Sequence, residues 1–93
     1  MSKLNFAFSK EVVIVNELGL HARSAAKIAK LAQNAKSNIW LIKDNQKVDA
    51  SSIIDILTLA CAKGSTIALS ADSRSDIDII NDIIALVEKG FEE

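Results

Sequence analysis

"IVNELGLHARSAAKIAKLAQ", Ile14 to Gln33, contains the point where one hydrophobic pattern gives way to another, and the only histidine of the chain stands at that point. Upstream, "EVVIV" (11–15) is β-branched and apolar, the composition of a strand. "NELG" (16–19) follows as a turn signal. Beyond His21 the apolar positions Ala25, Ile28, Ala29, Leu31 and Ala32 recur at helical spacing, with Arg23, Lys27 and Lys30 on the other side. That predicts an amphipathic helix of about three turns. The change of period puts His21 at or just before the first helical residue.

The same reading extends in both directions. Leu4, Phe6 and Phe8 alternate with Asn5 and Ala7, so residues 1–9 read as an extended lead-in to the first strand. "SNIWLIK" (37–43) is a second strand, "DNQ" (44–46) a hairpin turn and "KVDA" (47–50) a short third strand. "SSIIDILTLACAKG" (51–64) places Ile53, Ile54, Ile56, Leu57 and Leu59 on a short helix that Gly64 can end in left-handed geometry. "STIALSA" (65–71) is the fourth strand. The last helix opens at Ser73, with Asp76 three residues on. It carries Ile77, Ile80, Ile84, Val87 and Phe91 at steps of three and four, and ends near Gly90. The order β-α-β-β-α-β-α implies an α+β fold, a four-stranded antiparallel sheet with three helices on one face, formed by residues 1–93 as a single domain.

Composition narrows the function classes. A formal charge of −1 gives no global attraction to nucleic acid or anionic lipid. A basic stripe of Arg23, Lys27 and Lys30 is the one argument for a small nucleic-acid-binding domain, and a solvated helix face explains it better. Cys61, the single cysteine, lies in an apolar run and reads as a small buried hydrophobe. With no leader-like segment and no run long enough to span a bilayer, a cytoplasmic protein without membrane insertion is expected. One histidine and one cysteine far apart offer no metal-ligand spacing, and no phosphate-binding glycine motif is present, so neither metal nor organic cofactor is expected.

The junction carries chemistry of its own. The first amides of a helix have no intrahelical acceptor, so those of Ala22, Arg23 and Ser24 can face an anion, and Arg23 adds a full charge. Neutral imidazole at the edge of such a cradle is a nucleophile able to attack phosphorus. From spacing alone, however, a histidine at a helix start is more often a cap or a surface residue, and Arg23 can be one member of a solvated face.

"IVNELGLHARSAA" resembles the active-site segment of the HPr family, the histidine-containing phosphocarriers of the bacterial phosphoenolpyruvate:sugar phosphotransferase system. "VDASSIIDILTLACAKGSTIAL" is similar to that family's second-helix region. The likeness runs from about Lys10 to Phe91. "AKGSTI" and the closing "LVEKGFEE" look more like the nitrogen-related branch than the sugar-transport branch. The resemblance implies an open-faced β-sandwich in which His21 takes a phosphoryl group on its δ nitrogen from Enzyme I and passes it to a downstream Enzyme IIA-type acceptor. Arg23 would neutralise the phosphoryl charge, and the amides of Ala22 and Arg23 would hold its oxygens.

Ser24 departs from the family pattern, which has proline there. Serine restores an amide donor and adds a hydroxyl that either strengthens the anion cradle or caps the helix differently. Ser52 matches the position at which many relatives are phosphorylated by a serine kinase, and it equally fits a simple helix cap. Leu20, Ile53 and Ile54, with Lys27 and Lys30, are the expected docking face for acidic partners. A monomer is expected. The competing reading is a regulatory binding module of the same fold, whose phosphorylation state controls a partner.

Overall fold

Alternation within the strands builds the sheet. The computed structural model describes residues 8–93, and the expected alternation at Leu4 and Phe6 lies outside them. Strands β1 (Ser9–Val13), β2 (Ile39–Lys43), β3 (Gln46–Asp49) and β4 (Thr66–Ala71) pair in the order β1-β4-β2-β3, antiparallel throughout. Val12 faces Ile67 in the register, Leu41 faces Leu69 and Ile39 faces Ala71, and all six are buried on the same side. The β2–β3 hairpin closes on Asp44 (φ 51°) and Asn45 (φ 67°), the left-handed pair that a two-residue turn requires. On the open side Trp40 is half-buried, with the Lys47 ammonium 4.6 Å from its ring centroid and its Nε1–H donating to Asp72.

Helices α1 (Ala22–Ala32), α2 (Ile53–Thr58) and α3 (Ile77–Glu88) cover the inner side. Helix α1 touches both other helices, while α3 lies on β1 and β4. Ile28, Ile56, Ile80, Ile83 and Val87 are fully buried between the layers. Each such side chain contributes about 1.5–3 kcal/mol relative to exposure.

Three sequence-based expectations change. Helix α2 ends at Thr58 with Leu59 as its C-cap, well before Gly64, because Ala60 already turns left-handed (φ 51°) and Lys43 Nζ donates to the Leu59 and Ala60 carbonyls at 3.2 Å. Phe91 is not on α3: it sits in a separate turn, Gly90–Glu92, fully buried at φ 59°, while Ile83 supplies the helical core position that the spacing argument omitted. Asp76 does more than face a helix end. Its buried carboxylate accepts from Lys36 N (2.8 Å), Ser37 N (2.7 Å) and Ser37 Oγ (2.5 Å), fastening the α1–β2 connection to the start of α3.

Candidate functional site

The β1–α1 loop is held from beneath. Gly19 (φ 65°) brings the chain against the backbone of Cys61 and Ala62, and Leu20 N donates to Cys61 O at 2.8 Å. Leu20 is consequently buried at 8% exposure. It belongs to the core rather than to the expected docking face, and Leu18, at 70%, projects in its place. Leu18 carries no sequence signal of its own, because a turn residue has no periodic neighbours from which a facing direction follows. The buried Cys61 thiol is pushed up in pKa by burial, in keeping with a packing role.

His21 is the N-cap of α1. Its Nδ1 accepts from Arg23 N at 3.3 Å, a long and weak bond, and its own N–H donates to Ser24 Oγ at 2.9 Å. Both readings of the histidine therefore meet in one residue, since a capping acceptor at Nδ1 is also an unprotonated nitrogen. Ser24 is fully buried, and its hydroxyl lies 3.2 Å from both Gly19 O and His21 O, one of which takes its proton. The serine hydroxyl is thus turned inward as a cap. It does not reach an anion over the helix start, and only its amide remains available for that part.

Ala22 and Arg23 are exposed and line an open pocket with Leu18, His21, Lys27, Glu92 and Glu93. Lys27 Nζ donates to Phe91 O at 2.7 Å, which binds the last turn to α1, whereas Lys30 is exposed. Two residues with no sequence signal of their own, Asn16 from the β1–α1 loop and Glu93 beyond α3, border the site beside His21. Glu93 Oε2 pairs with His21 Nε2, and Glu93 Oε1 accepts from Asn16 Nδ2 at 2.9 Å. The Asn16 side-chain amide, ahead of His21 and Lys27, holds the Glu93 carboxyl below the ordinary carboxylate range despite some desolvation.

Helix α2 starts at the other end of α1, where the Gln33 side-chain amide donates to Ser51 O at 3.2 Å, and the chain beyond its C-terminus meets the β1–α1 loop at Cys61. Ser52 is its N-cap, accepting from Asp55 N at 3.2 Å, and Ser51 donates from N and Oγ to Asp49. Ile54 is 75% exposed and Ile53 39%, with Ile56 turned into the core. Among the described residues no helix is long and apolar enough to cross a membrane, and no group of three or more His, Cys, Asp or Glu side chains is gathered to hold a metal ion.

A histidine thus caps the first amides of α1 beside an open pocket, and the sequence around it matches the family of the PTS HPr component phosphorylation site over residues 8–89. The chain belongs to the HPr family. It is 36% identical over 84 residues to the phosphocarrier protein HPr of Cupriavidus necator, covering 90% of this chain and 94% of the relative. To the phosphocarrier protein NPr of Klebsiella oxytoca it is 39% identical over 83 residues, 88% of this chain and 92% of the relative. Among solved structures, HPr of Thermoanaerobacter tengcongensis superposes with a TM-score of 0.85 at 38% identity, covering 91% and 96% of the two chains. A dimer of HPr from the same organism matches at a TM-score of 0.73 with 39% identity, over 88% of this chain and 94% of that one. The family's open-faced β-sandwich is the fold described above. The protein is accordingly a phosphocarrier of the phosphotransferase system, and HPr-family membership brings with it partners such as Enzyme I and Enzyme IIA-type components.

Proposed function

We propose that His21 is the phosphoryl-accepting residue, charged by Enzyme I at the expense of phosphoenolpyruvate and discharged to an Enzyme IIA-type acceptor. The single observation that carries this reading is the Nδ1 atom of His21, an unprotonated acceptor at the free N-terminus of α1. The Arg23 amide that rests on Nδ1 is well sited to follow the incoming group and donate to a phosphoryl oxygen once Nδ1 is bonded to phosphorus. Ala22 N–H and the amide of Ser24 add donors, and the Arg23 guanidinium supplies charge. Exposed Leu18, Ile53 and Ile54 form the apolar docking surface, with Lys30 beside it for acidic partners. The protein acts in the cytoplasm, as one domain and as a monomer.

The likeness to NPr at 39% identity supports a second reading, in which the phosphorylation state of the same histidine regulates a partner rather than feeding sugar uptake. Ser52 is the candidate for a serine kinase, although its hydroxyl already caps α2. The test is incubation with phosphoenolpyruvate and Enzyme I, read by phosphorus NMR and acid lability. An acid-labile signal in the parent chain, absent in His21→Ala, is expected. Equal labelling of His21→Ala would sink the assignment.

A further inference from the structure

Two residues outside the cradle hold the far edge of the His21 ring. Asn16 is buried at 6% exposure, and its Nδ2 donates to Gly19 O at 2.8 Å and to Glu93 Oε1 at 2.9 Å. Its Oδ1 is buried with no partner. A buried acceptor left unpaired is costly, so this amide is oriented for its two donors at the expense of its oxygen. Rotating it by half a turn would set Oδ1 against two acceptors, which fixes the assignment of O and N.

The segment that delivers Glu93 is strained. Gly90, Phe91 and Glu92 are left-handed in succession (φ 65°, 59° and 61°), a conformation unfavourable for the two of them that carry a Cβ. Burial of Phe91 and the bond from Lys27 Nζ to its carbonyl hold the turn in place. Strain of this kind, over-determined from both sides, ends with a carboxylate on the imidazole.

We propose that Glu93, aligned by Asn16, is a positioning residue that holds the His21 ring with its proton on Nε2, so that Nδ1 carries the lone pair that accepts the phosphoryl group. The inference rests on the assignment of His21 as acceptor. In the transfer the Nδ1 lone pair forms the new bond to phosphorus as the bond from phosphorus to the donor breaks, and that electron pair leaves with the donor. The Nε2 proton stays where it is. The ring consequently becomes cationic, with the Glu93 carboxylate beside the positive charge, as a carboxylate serves an imidazole in other nucleophilic sites. Discharge reverses the sequence, and the neutral Nε2–H imidazole is the leaving group.

The experiment combines two readouts on Glu93→Ala, Glu93→Gln and Asn16→Ala. First, proton NMR of nitrogen-15-labelled protein, with no phosphoryl donor, should give an Nε2–H resonance protected from exchange in the parent. That resonance should be lost in Glu93→Ala, weakened in Asn16→Ala and retained in Glu93→Gln, whose side-chain oxygen still accepts. Second, in transfer from Enzyme I, kcat should fall about tenfold in Glu93→Ala with KM for the carrier within about twofold, the size of effect typical of a histidine's outer partner. An Nε2–H signal in Glu93→Ala equal to the parent's, or an unchanged kcat, overturns the proposal. A parent chain that takes no label overturns the carrier assignment instead, and the resonance still decides whether Glu93 holds the ring.

Discussion

Gly19 lies so close to Cys61 that a Cβ on Gly19 would stand 2.4 Å from the Cys61 carbonyl oxygen, and Gly19 is left-handed at φ 65°. Both facts forbid a side chain, since the obstruction is backbone that the Leu20 amide also binds. Gly19→Ala should lose about 2–4 kcal/mol in urea unfolding and lift the loop that carries His21. Phosphoryl acceptance should fall even in the fraction that folds. An unfolding midpoint equal to the parent's would contradict this account of the loop.

Ser24 satisfies the His21 amide from a buried position, so Ser24→Ala should remove one capping bond and cost about 1 kcal/mol. The alanine methyl leaves the Arg23 and Ala22 amides in place. Labelling of His21 should therefore persist in Ser24→Ala, with a lower thermal midpoint. Complete loss of labelling in a folded Ser24→Ala variant would mean that the hydroxyl takes a direct part in the transfer.

The strand and helix order was legible because apolar, β-branched runs bounded by turn residues mark the strands, and the 3.6 period marks α1 and α3. His21 was legible because it stands where the period changes. Helix α2 was harder: its C-terminus is set by Lys43, sixteen residues before Leu59, and no local pattern announces that contact. Asn16, Leu18 and Glu93 escaped for a related reason. Asn16 and Glu93 meet only through the fold, and Leu18 is exposed because Leu20, two residues on, takes the buried place. Leu20 looked as though it belonged to the surface because loop residues give no periodicity from which to infer a facing direction.

Asp76 has its carboxyl held below the usual range, first by the Ser37 hydroxyl and then by the Lys36 amide. A folded-state pKa depressed in this way contributes stability that is present above the unfolded value, about 3.9, and is lost as pH falls through the lower folded value. The urea midpoint should therefore drop as pH is taken below about 4. Asp76→Asn keeps one acceptor oxygen and should be less stable by about 1–2 kcal/mol at neutral pH, with a shallower acid limb. Glu93 is depressed as well, so some slope should remain in Asp76→Asn. An acid limb as steep as the parent's would show that Asp76 does not titrate in this window.

Ile54 and Ile56 are two residues apart on α2 and meet opposite surroundings, one 75% exposed and the other fully buried. Ile56→Ala should cost about 2–5 kcal/mol by opening a cavity. Ile54→Glu should leave stability within about 0.5 kcal/mol, because nothing packs on the side chain in the free protein. If Ile54 meets Enzyme I, the same change places a carboxylate in an apolar contact facing an acidic partner, so KM for the carrier should rise about tenfold while kcat holds. Ile54→Lys should be milder, since its charge opposes that of the partner. The pattern is the reverse of that expected for Glu93→Ala, where kcat falls and KM holds, so steady-state transfer kinetics on the two variants separate docking from chemistry. Equal KM values for parent and Ile54→Glu would remove Ile54 from the docking surface and leave Leu18 and Ile53 to account for it.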